Sequence, residues 1–199
     1  MSVLGVILAG GLARRMGGGD KALLRVAGET LLERAARRLG PQCDRGAILN
    51  ANGDPERFSK LSDLPVVADA TDERAGPLAG VLAGLRAAPR FGASHVVTVA
   101  VDTPFFPADL VARLEGVARE AAVPLACAKT GDRTHPVFGL WPVALADDLA
   151  AAMADGMRKV DRWTGRHGCA EAVFTAEPFD PFFNINTPDD LARAEELAA

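Results

Sequence analysis

Two continuous apolar runs, Val3 to Ala9 and His95 to Val101, limit the folds open to this chain more than any other feature. A strand without a polar face is buried on both sides, the situation of a parallel sheet covered by helices. Shorter runs of the same kind, Ala47 to Leu49 and Pro65 to Ala68, end in Asn50-Ala51-Asn52 and Asp69. Helical segments stand between them. Thr30-Leu31-Leu32-Glu33 has the form of a capping box, and Leu31, Leu32, Ala35, Ala36 and Leu39 continue as an apolar helix face until Gly40-Pro41 stops it. Further helices are expected from Pro55 to Lys60, from Pro77 to Ala88 and from Pro107 to Ala122. The alternation predicts an α/β fold, Rossmann-like and doubly wound, with a predominantly parallel sheet and helices on both faces. Ligands of such a sheet bind outside the carboxyl ends of its strands.

The second half is less regular. Pro124 to Ala128 and Pro136 to Trp141 read as strands joined by the polar loop Lys129 to His135, followed by a helix from Val143 to Met153. A basic segment, Gly156-Met157-Arg158-Lys159, reads as a solvated helix end. A short helix from Val160 to Arg166 and a strand from Ala170 to Phe174 follow. Thr187 then serves as N-cap, Pro188 as first helical residue and Asp189-Asp190 as the acidic first turn of a last helix. Nothing of low complexity divides the 199 residues, so residues 1–199 read as one domain.

A net charge of −4 argues against a general nucleic-acid surface, and basic residues must act locally if they bind phosphate. No apolar stretch is long enough for a bilayer and the N-terminus enters a strand at once, so a cytoplasmic protein without a membrane partner is expected. Cys43, Cys127 and Cys169 match neither a disulfide framework nor a zinc site and read as inert thiols.

The chemistry concentrates after the first strand. Leu8-Ala9-Gly10-Gly11-Leu12-Ala13-Arg14-Arg15-Met16-Gly17-Gly18-Gly19-Asp20-Lys21 places five glycines beside two arginines and a lysine. Glycines let backbone N–H groups converge on an anion, and Lys21 suits phosphate as a point charge. The spacing is neither that of an ATPase phosphate loop, because Ala22 follows the lysine, nor Gly-x-Gly-x-x-Gly. Asp102 ends the second long run in Val101-Asp102-Thr103-Pro104, where a carboxylate can hold Mg²⁺ or merely cap a turn. Asn50 and Asp69 can hydrogen-bond a base or ribose, or simply favour turns. His95 and His167 read as structural or exposed, and no Gly-x-Ser-x-Gly elbow supports a serine hydrolase.

Leu-Ala-Gly-Gly-x-x-x-Arg-Met-Gly-Gly-x-Asp-Lys resembles the signature of the molybdenum cofactor guanylyltransferase family, MobA. That resemblance implies a nucleotide-diphospho-sugar-transferase-like fold, with GTP bound by the N-terminal half and molybdopterin by the C-terminal half. It places Leu8, Ala9, Gly10, Gly11, Lys21, Asn50, Asp69, Gly76, Pro77, Leu78 and Asp102 against GTP. Asp102 becomes the metal ligand, for Mg²⁺ with Mn²⁺ as the alternative, although the family's Cys-Asp-Thr-Pro begins here with Val101. Arg15, Lys21 and Asp102 become the catalytic set. Arg133 and His135, within Arg133-Thr134-His135-Pro136, and Asn184 and Asn186, within Asn184-Ile185-Asn186-Thr187-Pro188, fall on the molybdopterin side.

The activity implied is transfer of GMP from GTP to molybdopterin, with cofactor-delivering or cofactor-accepting proteins as further partners. Gly10-Gly11 resembles the guanylyl branch, whereas the cytidylyl branch usually shows Ala-Gly. Sugar-phosphate nucleotidyltransferases often show Gly-x-Gly-Thr-Arg-Leu after Leu-Ala-Gly, which residues 11–15 do not reproduce. A non-catalytic nucleotide-binding module is the rival outside the enzymes.

Overall fold

The computed structural model describes residues 1–10, 20–59, 61–69 and 76–198. Its main sheet contains β1 (Val3–Leu8), β4 (Ala47–Asn50), β5 (Val66–Val67), β6 (His95–Ala100), β7 (Leu125–Thr130), β8 (Arg133–Pro142) and β9 (Cys169–Phe174). The spatial order is β5-β4-β1-β6-β8-β7-β9. A separate ribbon pairs two short strands, β2 (Arg25–Val26) and β3 (Glu29–Thr30), antiparallel. The main sheet is predominantly parallel, as expected. Among the described residues of this sheet, β8 alone runs against its neighbours, β6 and β7, and β7 and β9 are parallel again.

Helices cover both faces. On one lie α1 (Leu31–Leu39), α3 (Leu110–Glu120) and α6 (Pro188–Ala198), closing a core with Phe106, Phe138 and Phe182. On the other lie α2 (Pro77–Ala87), α4 (Ala146–Ala154) and α5 (Val160–Thr164), around Trp141 and Trp163. Burial from both sides is the reason β1 and β6 carry no polar face.

Local signals account for the helix starts. Thr30 Oγ1 accepts from Glu33 N–H and the Glu33 carboxylate accepts from Thr30 N–H, completing the capping box. Pro77 occupies the first turn of α2 after Gly76, whose φ of 66° suits glycine. Three expected helices differ. α3 begins at Leu110, because Pro107, Ala108 and Asp109 form a turn in which Leu110 N–H reaches Pro107 O. The segment after Pro55 is a 3₁₀ turn, Pro55–Phe58, and another, Val143–Leu145, precedes α4.

The chain places β4 and β5 on one side of β1, then returns to lay β6 on the other. The carboxyl ends of β1 and β6 thus flank a topological switch point, where an open α/β sheet forms its ligand crevice. Among the described residues, no helix is long and apolar enough to cross a membrane.

Candidate active site

Lys21 and Asp102, 81 residues apart, meet at the switch point, with Lys21 Nζ donating to Asp102 Oδ2 at 2.8 Å. Lys21 opens a 3₁₀ turn, Lys21–Leu23, capped by Asp20, which accepts from Ala22 N–H. Arg57 steadies that cap. Its Nε donates to Asp20 Oδ2 at 2.9 Å and its Nη2 donates to Asn52 O at 2.6 Å, tying the turn to the end of β4.

Asp102 follows β6, and its main-chain carbonyl accepts from Ile185 N–H at 2.9 Å. This bond lays residues 184–186 beside Asp102. Ile185 is buried, so Asn184 and Asn186 face the opposite way, towards the crevice. Asn184 Nδ2 donates to Asp102 Oδ1 and to Thr103 Oγ1, each at 3.1 Å. Asn186 Oδ1 accepts from Lys21 Nζ at 2.7 Å. Asn186 is itself anchored through its N–H to Asp190 Oδ2, and Asp190 N–H donates to Thr187 Oγ1 at the start of α6. The Asn186 N–H holds the Asp190 carboxyl below the usual carboxylate range.

A second cluster lies at the ends of β4 and β5. Asn50 is buried, and its Nδ2 donates to Val67 O and to Asp69 Oδ1. Asn52 Nδ2 donates to Asp69 Oδ2, while Asn52 Oδ1 accepts from Asp69 N–H. Two amides therefore hold one half-buried carboxylate, and Asn50 touches Asp69 through its Nδ2. The first turn of α2 packs against this cluster with no room for a side chain. A Cβ on Gly80 would lie 2.3 Å from Asn50 Oδ1 and 2.7 Å from Leu8 Cδ2.

Residues expected on one ligand thus divide differently in space. Asn184 and Asn186, expected on the acceptor side, touch Asp102 and Lys21 directly. Leu78 has its side chain in the core, leaving only its backbone for a ligand. Gly11 and Arg15 lie outside the described residues. Arg133 is exposed at the turn between β7 and β8, on the crevice edge of the sheet. His135 is buried instead of facing a ligand. Its Nε2 lies 2.7 Å from Thr130 Oγ1, its ring stacks on Phe182 at 4.5 Å, and burial lowers its pKa. Thr103, Asn52 and Arg57 were not legible as site residues. The contacts that bring them to the site, Asn184 to Thr103, Asn52 to Asp69 and Arg57 to Asp20, span 81, 17 and 37 residues.

Hard oxygens suit a divalent cation here. Asp102 Oδ2 and Asn186 Oδ1 already converge on one positive charge, the Lys21 ammonium. Among the described residues no three acidic, histidine or cysteine side chains cluster into a metal cage. This donor set fits Mg²⁺ or Mn²⁺, which bind through one or two carboxylates and take remaining ligands from phosphate and water.

Residues 5–170 match the sequence profile of the MobA-like NTP transferase domain. The chain belongs to the MobA-like NTP transferase family. Among curated relatives of this MobA-like protein, a molybdenum cofactor guanylyltransferase of Nitrobacter hamburgensis is 52% identical, spanning 98% of this chain and 94% of its own. Another of that name from Rhodopseudomonas palustris is 55% identical over 97% of this chain and 91% of its own. The crystal structure of molybdopterin-guanine dinucleotide biosynthesis protein A from Archaeoglobus fulgidus superposes with a TM-score of 0.77 at 26% identity, covering 98% of each chain. A manganese complex of Rv0371C from Mycobacterium tuberculosis shares the fold, with a TM-score of 0.69 at 21% identity and coverage of 98% and 99%.

Proposed function

We infer that the protein transfers GMP from GTP to the terminal phosphate of molybdopterin, releasing pyrophosphate. The observation that carries this reading is the Lys21–Asp102 pair at the β1/β6 switch point, in a chain about half identical to guanylyltransferases along its whole length. In this reading residues 1–199 act as one nucleotidyltransferase domain, the first half holding nucleotide and the second the acceptor.

A phosphate monoester has its second pKa at about 6, so the acceptor brings an anionic oxygen and needs little help from a base. The new bond joins that oxygen to the α-phosphorus of GTP, and the bond from the α-phosphorus to the pyrophosphate oxygen breaks. The obstacle is bringing an anion to a polyanion, which positioning and charge neutralisation overcome. Asp102, with Asn186 beside it, would hold a divalent cation, which supplies positive charge to the triphosphate. Lys21 and Arg15 neutralise phosphate oxygens, and Leu8, Ala9, Gly10 and Gly11 contribute to binding the nucleotide. Asp69, aimed by Asn50 and Asn52, accepts hydrogen bonds from the nucleoside beside Gly76, Pro77 and the Leu78 backbone. Arg133 takes an anionic group of the acceptor, while His135 supports its strand from behind. Asn184, with Nδ2 committed to Asp102 and Thr103, keeps its carbonyl oxygen for the pterin. Placement in the cytoplasm accords with the free thiols Cys43, Cys127 and Cys169.

Pyrophosphate release with molybdopterin and Mg²⁺, measured for GTP, CTP and ATP, tests this reading. GTP is expected to give much the highest kcat/KM. Comparable kcat/KM for CTP would remove the guanylyl assignment and leave the fold intact.

A further inference from the structure

The Lys21 ammonium lies against two oxygens that a divalent cation would use, at 2.8 Å from Asp102 Oδ2 and 2.7 Å from Asn186 Oδ1. Its side chain is 12% exposed and that of Asp102 is 19% exposed, so the pair is largely withdrawn from water. A carboxylate so placed needs a counter-charge in the nucleotide-free protein, and the lysine provides it. The ammonium occupies the same two oxygens that the metal would take as ligands, so the two cations compete for them. A divalent cation bound to Asp102 would repel an ammonium left in place.

We propose that Lys21 is the resident cation of the Asp102 position and that it exchanges with the divalent metal when nucleotide enters. The proposal rests on the reading of Asp102 as the metal ligand. Exchange needs no movement of the backbone. Asp20 caps the turn that carries Lys21, and Arg57 ties Asp20 to Asn52 O, so the root of the lysine is fixed. The flexible four-carbon stem alone swings the ammonium from carboxylate to phosphate. The triphosphate then does two things at once, giving the displaced lysine a new anion and the incoming metal further oxygen ligands. Metal and nucleotide therefore bind cooperatively, and the free protein holds metal weakly. If Lys21 occupies Asp102 for nine-tenths of the time, apparent metal affinity falls about tenfold, in proportion to the vacant fraction.

The test is a titration of nucleotide-free protein with Mn²⁺, followed by the electron paramagnetic resonance of unbound Mn²⁺. Parent, Lys21→Met, Asp102→Asn and the double variant are compared, each checked for folding by circular dichroism. Lys21→Met is expected to bind Mn²⁺ about tenfold more tightly than the parent, and the double variant to lose that binding. In parallel, the Lys21 ammonium protons, identified in the ¹H–¹⁵N spectrum by their loss in Lys21→Met, are expected to be protected without metal and to lose protection as Mg²⁺ saturates the protein. Affinity in Lys21→Met no higher than in the parent overturns the exchange while leaving Asp102 as a metal ligand. Ammonium protons that stay protected at saturating Mg²⁺ overturn it as well. Tight Mn²⁺ binding that survives in the double variant overturns both the exchange and the metal role of Asp102.

Discussion

Gly80→Ala and Gly116→Ala are the same chemical change in the interior of two helices, yet the structure gives them opposite signs. Each substitution gains up to about 1 kcal/mol from helix propensity. At Gly116, in α3, the new methyl meets nothing within 4 Å among the described residues, so that gain stands alone. At Gly80, in α2, it arrives 2.3 Å from Asn50 Oδ1, where ordinary contact begins near 3.4 Å. The amide must retreat by about an ångström, and both its hydrogen bonds, 3.1 Å to Val67 O and 2.9 Å to Asp69 Oδ1, are lost or stretched. The bond to the neutral carbonyl contributes about 1 kcal/mol and the bond to the carboxylate about 1.5–3 kcal/mol. After the propensity gain, Gly80→Ala is expected to destabilise by roughly 2 kcal/mol. The displaced amide also stops aiming Asp69, so the KM for GTP rises. Urea denaturation curves of parent and both variants, with steady-state kinetics in GTP, measure these effects. A Gly80→Ala protein as stable as Gly116→Ala, with a parental KM for GTP, refutes the account of the Asn50–Asp69 cluster.

Lys21→Ala is expected to remain folded and to lose on the order of 10²–10³ in kcat, the scale for removing one preorganised electrostatic donor; a parental kcat in the folded variant contradicts its role. Asn184→Ala releases Asp102 Oδ1 and is expected to raise the Mg²⁺ concentration needed for half-maximal activity, which an unchanged Mg²⁺ dependence would rule out. Burial lowers the pKa of both His95 and His135. The unfolded chain therefore takes up protons near the ordinary histidine value of about 6.5 while the folded chain does not, so this stability is full above that pH and declines as pH falls from about 7 towards 5. His135→Gln should flatten part of the decline in urea midpoints, and an identical slope in the variant contradicts the burial argument.

The sequence was most informative where a signal is local. Apolar runs located β1 and β6 to within a residue, and Thr30 with Glu33 marked the start of α1. The reversal of β8 was not legible, because Phe138, Leu140 and Trp141 are equally apolar in either strand direction. Direction is set by the tight turn through Gly131 and Asp132, which joins paired residues Thr130 and Arg133. The ribbon of β2 and β3 is too short to show a period. At the site, the strand-end positions of Asn50, Asp69 and Asp102 were legible, and so was the common face of Asn184 and Asn186. That Asn184 reaches Asp102 across 82 residues was not, since β9 lies at the far edge of the sheet and the segment after it must return past β7 and β8 to the end of β6. His135 lies beside basic, polar neighbours in sequence, but the stack with Phe182 that buries it comes from a segment far along the chain.

The central claim is that GMP crosses to molybdopterin at the carboxyl ends of β1 and β6, with Asp102 indispensable. It is tested most directly by following label from GTP marked at the α-phosphate, and separately at the γ-phosphate, in parent and Asp102→Ala. With the parent, α-label should enter the pterin product and γ-label should leave in pyrophosphate; folded Asp102→Ala should transfer neither. Entry of γ-label into the product, or undiminished transfer of α-label by Asp102→Ala, would contradict the account.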